Sequence, residues 1–244
     1  MISVCLATFN GEKFLVEQVD SILTQLCIDD EIIISDDSST DRTIEILNSY
    51  NDSRINIISN SKSSGVNNNF QNALEHAKGD IIFLADQDDV WLPDKVKTCC
   101  EALRNCDCVV HDAIVVDGEL QEISPSFFSD RHSGNGFIKN IYKNSYLGCC
   151  MAFRREILDS CLPIPNTTAF FHDNWIGCIA DLKYNLQFIP FKGILFRRHS
   201  DNTSCTAKKS NFSFTKKLNN RISQIIKVID RLYFKRNLSG LKKT

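Results

Sequence analysis

Short apolar runs alternate with helically spaced hydrophobic residues through the first half of the chain. Residues 2–7 are a continuous apolar run that reads as a buried strand, and Leu15, Val19, Ile22, Leu23 and Leu26 then recur at three- and four-residue spacing. Glu31 to Ser35 predicts a second strand. Ser39, Thr40 and Asp41 offer caps for a helix reaching about Tyr50. Residues 55–58 predict a third strand. Gly65 and the run Asn67-Asn68-Asn69 introduce a helix with Phe70, Ala73, Leu74 and Ala77 on one face, closed by Gly79, before a fourth strand over 81–85. This βαβαβαβ order predicts an α/β fold with a mostly parallel sheet flanked by helices, in which ligands bind at the carboxyl ends of the strands.

The second half is less regular. Trp91-Leu92-Pro93 predicts a helix start with proline in its first turn. Cys108 to Val110 predicts a strand, Val115 to Leu120 a hairpin around Asp117-Gly118, and Pro125 to Asn135 a loop. Gly148 to Phe153 predicts a further strand, Asp173 to Asp181 a helix, and Leu186–Ile189 and Gly193–Phe196 two closing strands.

At 244 residues, 43% hydrophobic and 24% charged, the chain suits one globular domain with an appendage. No uninterrupted apolar run reaches the roughly 18 residues of a membrane-spanning helix. The first residues lack a basic segment and a full apolar core, so no signal peptide is expected. Eleven cysteines include the adjacent pairs Cys99-Cys100 and Cys149-Cys150, and the number is odd. They read as reduced, packed thiols. Cys99, Cys100, Cys106 and Cys108 do not follow the spacing of a structural zinc site.

The net charge of −2 conceals a division. Residues 212–244 carry nine Lys or Arg and one Asp, a net +8, leaving 19 basic and 29 acidic residues, a net −10, in the rest. We therefore expect a body over 1–211 and a basic tail over 212–244. In the tail, Leu218, Ile222, Ile225, Ile226, Ile229, Leu232 and Tyr233 form one apolar stripe. Lys216, Lys217, Arg221, Lys227, Arg231 and Lys235 fall on the other side. This pattern predicts an amphipathic helix that lies on an anionic membrane surface, packs on the body or meets a second subunit in a homodimer. The apolar stripe fits lipid or protein better than nucleic acid.

Two predicted strands end in carboxylates. The run 81–85 is followed by Asp86-Gln87-Asp88-Asp89, and the run 31–35 by Asp36-Asp37-Ser38-Ser39-Thr40-Asp41. Like charges packed at a strand end are costly unless a cation neutralises them. Such oxygen donors suit Mg²⁺ or Mn²⁺, metals that commonly share their coordination with substrate phosphates. The first strand ends in Ala7-Thr8-Phe9-Asn10-Gly11, small and polar enough to admit a flat ring.

Together with Asn67-Asn68-Asn69 and Trp91-Leu92-Pro93-Asp94-Lys95, these motifs resemble glycosyltransferase family 2 over about residues 2–205. The resemblance implies the GT-A fold, a Rossmann-like, mostly parallel mixed sheet. It also implies an inverting enzyme using a nucleotide-diphosphate sugar and Mn²⁺ or Mg²⁺. Carried over by position, Thr8 and Asn10 lie at the nucleotide base, Asp37 or Asp36 holds the edge of a uracil or thymine, Asp86 faces ribose and metal, and Asp88 ligates the metal. Asp89 either assists from behind or caps a helix. The family's late acidic pair corresponds to Phe171-His172-Asp173-Asn174-Trp175, with His172 in place of the commoner Glu, which leaves Asp173 as the general base. In Arg197-Arg198-His199-Ser200-Asp201-Asn202-Thr203-Ser204, His199 offers a third metal ligand, and Arg197 and Arg198 offer charge for the diphosphate.

The resemblance further implies transfer of a hexose or deoxyhexose from a UDP- or dTDP-sugar. The acceptor is a glycan on a polyprenyl diphosphate, at the inner face of the cytoplasmic membrane, during assembly of a bacterial surface polysaccharide. Direct displacement inverts the anomeric centre, so an α-linked donor yields a β product and a β-linked one an α product. Two other readings share the sheet. A nucleotidyltransferase that makes nucleotide sugars calls for a glycine-rich basic loop after the first strand, which Phe9-Asn10-Gly11-Glu12-Lys13 does not supply. A non-catalytic nucleotide-binding module calls for loss of the acidic cluster or of Asp173, and both are present.

Overall fold

The computed structural model describes residues 1–167, 169–199 and 213–234. Ser200 to Ser204, Lys235 and the rest of the tail beyond it lie outside them.

The first half follows the apolar pattern closely. Strands β1 (Ile2–Thr8), β2 (Glu31–Asp36), β3 (Ile55–Ser59) and β4 (Ile81–Ala85) alternate with helices α1 (Leu15–Leu23), α2 (Thr43–Ser49) and α3 (Val66–His76). β1 lies between β2 and β4, all parallel, with Thr8 opposite Asp36 and Leu6 opposite Ala85. The carboxyl ends of these strands therefore share one rim, and Asp36, Asp37 and the Asp86–Asp89 run meet there. The strand interiors carry Val4, Leu6, Ile32, Ile33, Ile34 and Phe83, all removed from solvent. A strand covered by helices on both faces needs no polar alternation, hence the unbroken apolar runs.

Beyond β4 the sheet turns mixed. Its order among the described residues is β3-β2-β1-β4-β8-β6-β9-β5, with β7 against β6. The added strands are β5 (Val90–Trp91), β6 (Cys108–Val116), β7 (Glu122–Ser124), β8 (Met151–Arg154) and β9 (Leu186–Arg197). β8 runs antiparallel to both β4 and β6, β9 runs parallel to β6, and β5 runs antiparallel to β9.

Several local expectations are revised here. Trp91 belongs to β5, and helix α4 (Lys95–Ala102) begins only after Pro93 and a left-handed Asp94 (φ 63°). The segment expected as loop contains helix α5 (Phe127–Arg131), capped by the Ser126 side chain. Helix α6 (Phe137–Tyr142) follows. Gly148–Cys150 is a 3₁₀ turn that precedes β8, and α7 (Leu158–Cys161) follows it. The two closing strands are one, β9. Its register to β6 jumps from His111–Ile189 to Asp112–Lys192, which leaves Pro190 and Phe191 in a bulge. A bulge accommodates a residue that has no N–H for the ladder, which explains how proline sits inside a strand.

Helix α8 (His172–Lys183) and helix α9 (Phe214–Ile229) complete the described chain, the latter continued by one wider turn over Asp230–Phe234. α9 packs against the body. Val228 is fully buried, and Ile225 and Leu232 lie on the core. Arg221 donates to the Tyr142 carbonyl (3.1 Å), and Arg231 reaches the carbonyls of Leu162 and Pro163 (both 2.6 Å) while lying over the Trp175 ring. Leu218, Ile222, Ile226, Ile229 and Tyr233 stay exposed, beside exposed Ile138 and Tyr142 of α6. Every described cysteine is a free thiol. No helix among the described residues is long and apolar enough to cross a membrane.

Candidate active site

The loops at the strand ends are held by side-chain hydrogen bonds. Thr8 is buried, and its hydroxyl donates to Asp36 Oδ1 (2.9 Å). Asp36 also accepts from the Ser39 amide (2.8 Å) and hydroxyl (2.6 Å). Asp37 accepts from Asn60 Nδ2 (2.7 Å), the Ser64 hydroxyl (2.7 Å) and the Gly65 amide (2.8 Å), so it anchors the loop that leads into α3. Asn10 takes a positive φ of 49°, and its side-chain oxygen accepts from the Thr40 amide (2.8 Å). Gln87 clips the loop from the other side through both backbone groups of Phe9 (2.9 and 3.0 Å). Gly11 leaves room for that amide, since a Cβ there would stand 2.5 Å from Gln87 Oε1. Phe9 is left exposed at the rim. Asn67, Asn68 and Asn69, expected before a helix, lie inside α3. Asn69 Nδ2 donates to the Thr8 carbonyl (3.0 Å).

The acidic run sits deeper. Buried Gln18 of α1 donates to the Asp86 carbonyl. Asp88 Oδ2 lies 2.8 Å from His199 Nε2, and the His199 ring lies 4.8 Å from that of Phe14. Asp89 is fully buried. Its Oδ1 accepts from the Arg197 amide (3.0 Å), and its Oδ2 has no hydrogen-bond partner. Residues 197–199 thus fold back over the acidic run. Arg197 serves as a strut: it is buried, donates to the Asp88 carbonyl (2.8 Å) and the Gly118 carbonyl (2.7 Å), and pairs with Glu17. Arg198 is partly exposed, with its guanidinium over the Phe196 ring at 5.4 Å.

Asp173 stands in the first turn of α8. Its Oδ1 accepts from the Asn174 amide (2.6 Å) and its Oδ2 from the Gly148 amide (3.3 Å). Phe171 is the residue before the helix and makes no side-chain cap. Burial raises the Asp173 pKa to about 6. Burial also pushes Asp86 well above the carboxylate range, and the charges of Asp89, Asp88 and Asp173 add to that push. Asp89 is raised to about 7 by burial and by Asp88. Residues separated by up to 87 positions, Asp86 to Asp173, thus make one cluster of coupled carboxyl groups.

Three residues in or beside this cluster had no role expected of them. Cys149, in the 3₁₀ turn, brings its thiol close to carboxylate oxygens of Asp86 and Asp89. Lys95 is fully buried, donates to the Cys149 carbonyl (2.7 Å) and lies 3.8 Å from the Trp91 ring centre. Burial lowers its pKa, against the pull of the neighbouring acidic groups Cys150, Cys99, Cys149 and Asp89. His172 stacks on Phe70 (3.7 Å between centres), has no hydrogen-bond partner on either ring nitrogen, and is driven by burial to a pKa of about 3. In the sequence Lys95 shows only as the last residue of the Trp91–Lys95 motif, and Cys149 only as one of two adjacent cysteines in an apolar segment. Nothing in a linear reading says that they lie under the acidic run.

The residues present fit a divalent cation. Asp86, Asp88 and Asp89 are oxygen donors whose charges raise one another's proton affinity, and among the described residues one oxygen of Asp89 has no hydrogen-bond partner.

Comparison with known proteins finds glycosyltransferases by sequence and by fold. An uncharacterized glycosyltransferase of Nostoc sp. is 25% identical over 225 residues, 85% of this chain and 69% of its own length. The dTDP-rhamnosyl transferase RfbG of Shigella flexneri is 37% identical over 118 residues, covering 45% of this chain and 41% of that enzyme. The Escherichia coli enzyme WfaP, a UDP-Glc:alpha-D-GlcNAc-diphosphoundecaprenol beta-1,3-glucosyltransferase, is 40% identical over 96 residues, 39% of this chain and 38% of its own. Among solved structures, S. aureus TarS (residues 1–349) with UDP-GlcNAc superposes with a TM-score of 0.72 at 19% identity, over 92% of this chain and 66% of that one. The Pyrobaculum calidifontis mannosyltransferase PcManGT with GDP-Man and Mn²⁺ gives 0.63 at 18% identity, over 93% and 64%. These superpositions establish the GT-A arrangement, a mixed sheet flanked by helices. The Glycosyl transferase family 2 model matches residues 3–162, well over half of the sequence; the chain belongs to that family.

Proposed function

We propose that this chain transfers a hexose or deoxyhexose from a UDP- or dTDP-sugar to a hydroxyl of a glycan acceptor, inverting the anomeric centre. The observation that carries this reading is the joining of Asp173, from α8, to the Asp86–Asp89 run at the carboxyl end of β4, close enough for their charges to interact. Asp86, Asp88 and His199 would hold a divalent cation. Bound there, it supplies Lewis-acid stabilisation to the departing diphosphate. Asp173, when ionised, takes the proton of the attacking hydroxyl. The Gly148 amide and the first turn of α8 hold its carboxylate in place. The Thr8–Asn10 and Asp36–Asp37 loops form the wall where a nucleotide base would rest, with Phe9 at its edge. Arg198, next to His199, would offer its charge to the diphosphate.

RfbG and WfaP use dTDP-rhamnose and UDP-Glc by name, which sets the test. The purified chain is offered UDP-glucose, UDP-galactose and dTDP-rhamnose, and release of nucleoside diphosphate is followed with Mn²⁺ and with chelator. Release from one donor, abolished by chelation, is expected. No release from any of them, with or without metal, would overturn the proposal.

The acceptor is proposed to be lipid-linked, in assembly of a bacterial surface polysaccharide. Two features support this. WfaP acts on a diphosphoundecaprenol acceptor by its name. Gln224 of α9 donates to Asn174, the neighbour of Asp173 (3.3 Å), so α9 packs on the helix that carries the base while its apolar stripe stays exposed on the opposite face. Lys216, Lys217, Arg221 and Lys227 flank that stripe and suit an anionic bilayer. Because Val228 belongs to the core, deleting the tail would damage the body. The cleaner variant is Ile222→Asp with Ile226→Asp, both at exposed positions. Wild type is expected to float with phosphatidylglycerol vesicles and the double variant to remain behind. Equal flotation refutes the membrane contact, and a concentration-dependent dimer without vesicle binding assigns the stripe to a second copy of the chain.

A further inference from the structure

We infer that Asp86, Asp89 and Cys149 form a second cation site, deeper than the one proposed at Asp88, which takes thiophilic divalent ions such as Zn²⁺ or Cd²⁺. One carboxylate oxygen from each Asp and the Cys149 sulfur all lie within 4.8 Å of one another. Zinc–ligand bonds are about 2.0–2.3 Å, so small side-chain rotations bring all three donors onto one ion. One feature points to a ligand, and a second fixes the donor beside it. Asp89 is fully buried, yet among the described residues its Oδ2 makes no hydrogen bond of good geometry and has only the Cys149 thiol facing the carboxylate, an arrangement that costs free energy. Cys149 is equally buried and fixed from its backbone: its carbonyl is tied to Lys95 Nζ, and it lies within the Gly148–Cys150 turn.

The donor set determines the kind of ion. Carboxylates alone favour Mg²⁺ and Mn²⁺, whereas a thiolate adds preference for softer ions. Only the thiolate ligates a metal, so binding exchanges the thiol proton for the ion. The S–H bond breaks, the sulfur pair goes to the ion, and the proton leaves to buffer, with no change of oxidation state. Two carboxylates and a thiolate outweigh the opposing charge of nearby Lys95. The site does not depend on the transferase reading. Its consequence does: if Asp86 serves the cation of the donor complex, a thiophilic ion in the deeper site withdraws that ligand and inhibits transfer.

The test titrates the full chain with Cd²⁺, following the ultraviolet thiolate-to-cadmium charge-transfer band. Wild type, Cys149→Ser, Cys149→Ala, Asp89→Asn and Cys27→Ser are compared, the last at an exposed thiol. Wild type and Cys27→Ser are expected to share one component saturating at a single ion per chain. Both Cys149 variants should lose it, and Asp89→Asn should weaken it by about tenfold or more. Near-ultraviolet circular dichroism checks that each variant keeps its packing. Cadmium NMR of wild type, which needs no substitution, should report mixed sulfur and oxygen coordination. Superimposable titrations of wild type and the Cys149 variants, or an all-oxygen or all-sulfur NMR signal, would overturn the site. Mn²⁺ paramagnetic resonance separates the two readings. Displacement of bound Mn²⁺ by Cd²⁺ supports the shared Asp86. Undisturbed Mn²⁺ beside a Cys149-bound Cd²⁺ removes the inhibitory consequence and leaves the site standing.

Discussion

Asp173→Asn is expected to lower kcat by a factor of about 10² to 10⁴, the usual worth of a positioned proton acceptor, while donor binding stays near wild type. Asparagine keeps the shape of the side chain and an oxygen for the Asn174 and Gly148 amides, so the first turn of α8 should persist. It cannot accept the proton of an attacking hydroxyl. The wild-type pH profile gives a second signature. Burial holds the Asp173 proton up to about pH 6. A base works only when ionised, so the rate should fall about tenfold per pH unit below that value and level off above it. The sign for stability is opposite. An unfolded aspartate releases its proton near pH 4, so between about 4 and 6 the folded state binds the proton more tightly, and this residue's contribution to stability declines as pH rises through that window. The variant should lose both the acidic limb of the rate and this slope in stability. Turnover by Asp173→Asn at the wild-type rate, or an unchanged acidic limb, would remove Asp173 as the base.

Asp88→Ala is expected to lower transfer by about 10³-fold, corresponding to loss of several kcal/mol of transition-state stabilisation by a displaced cation. Mn²⁺-dependent binding of the nucleotide sugar should weaken with it. The fold should survive, because the Asp88 side chain contacts His199 and it is the Asp88 carbonyl, present in any variant, that anchors Arg197. Isothermal titration of UDP or dTDP with and without Mn²⁺ separates the two effects. Metal-independent nucleotide binding should be similar in both proteins, and the gain from Mn²⁺ should vanish in the variant. Full activity, or an intact Mn²⁺ gain, would exclude Asp88 as a ligand.

The parts of this molecule that can be read along the chain are those governed by neighbours in sequence. β1 to β4 are contiguous apolar runs flanked by helical repeats, and each was placed within one or two residues. The motifs at their ends follow directly, because a parallel sheet puts every carboxyl end on one rim. The second half resisted for identifiable reasons. Two residues, Val90 and Trp91, are too few to carry a strand period, and only pairing with β9 makes them a strand. Pro190 breaks the local signal of β9, while the bulge opposite His111 and Asp112 lets one strand continue past it. In the tail, the apolar stripe is visible in the sequence. That Val228 is buried while Ile226 is exposed depends on where α6 and α8 lie.

The amino-acid sequence alone determined the family, the strand–helix alternation and the acidic strand ends, because these depend on residue types a few positions apart. Tertiary structure decided which of those groups meet. Asp86 and Asp89 share a pocket with Cys149, buried Lys95 underlies it, and Asp173 is near enough for its charge to bear on Asp86. Proton affinity and ligand geometry depend on burial and on through-space distance, and neither is set by spacing along the chain.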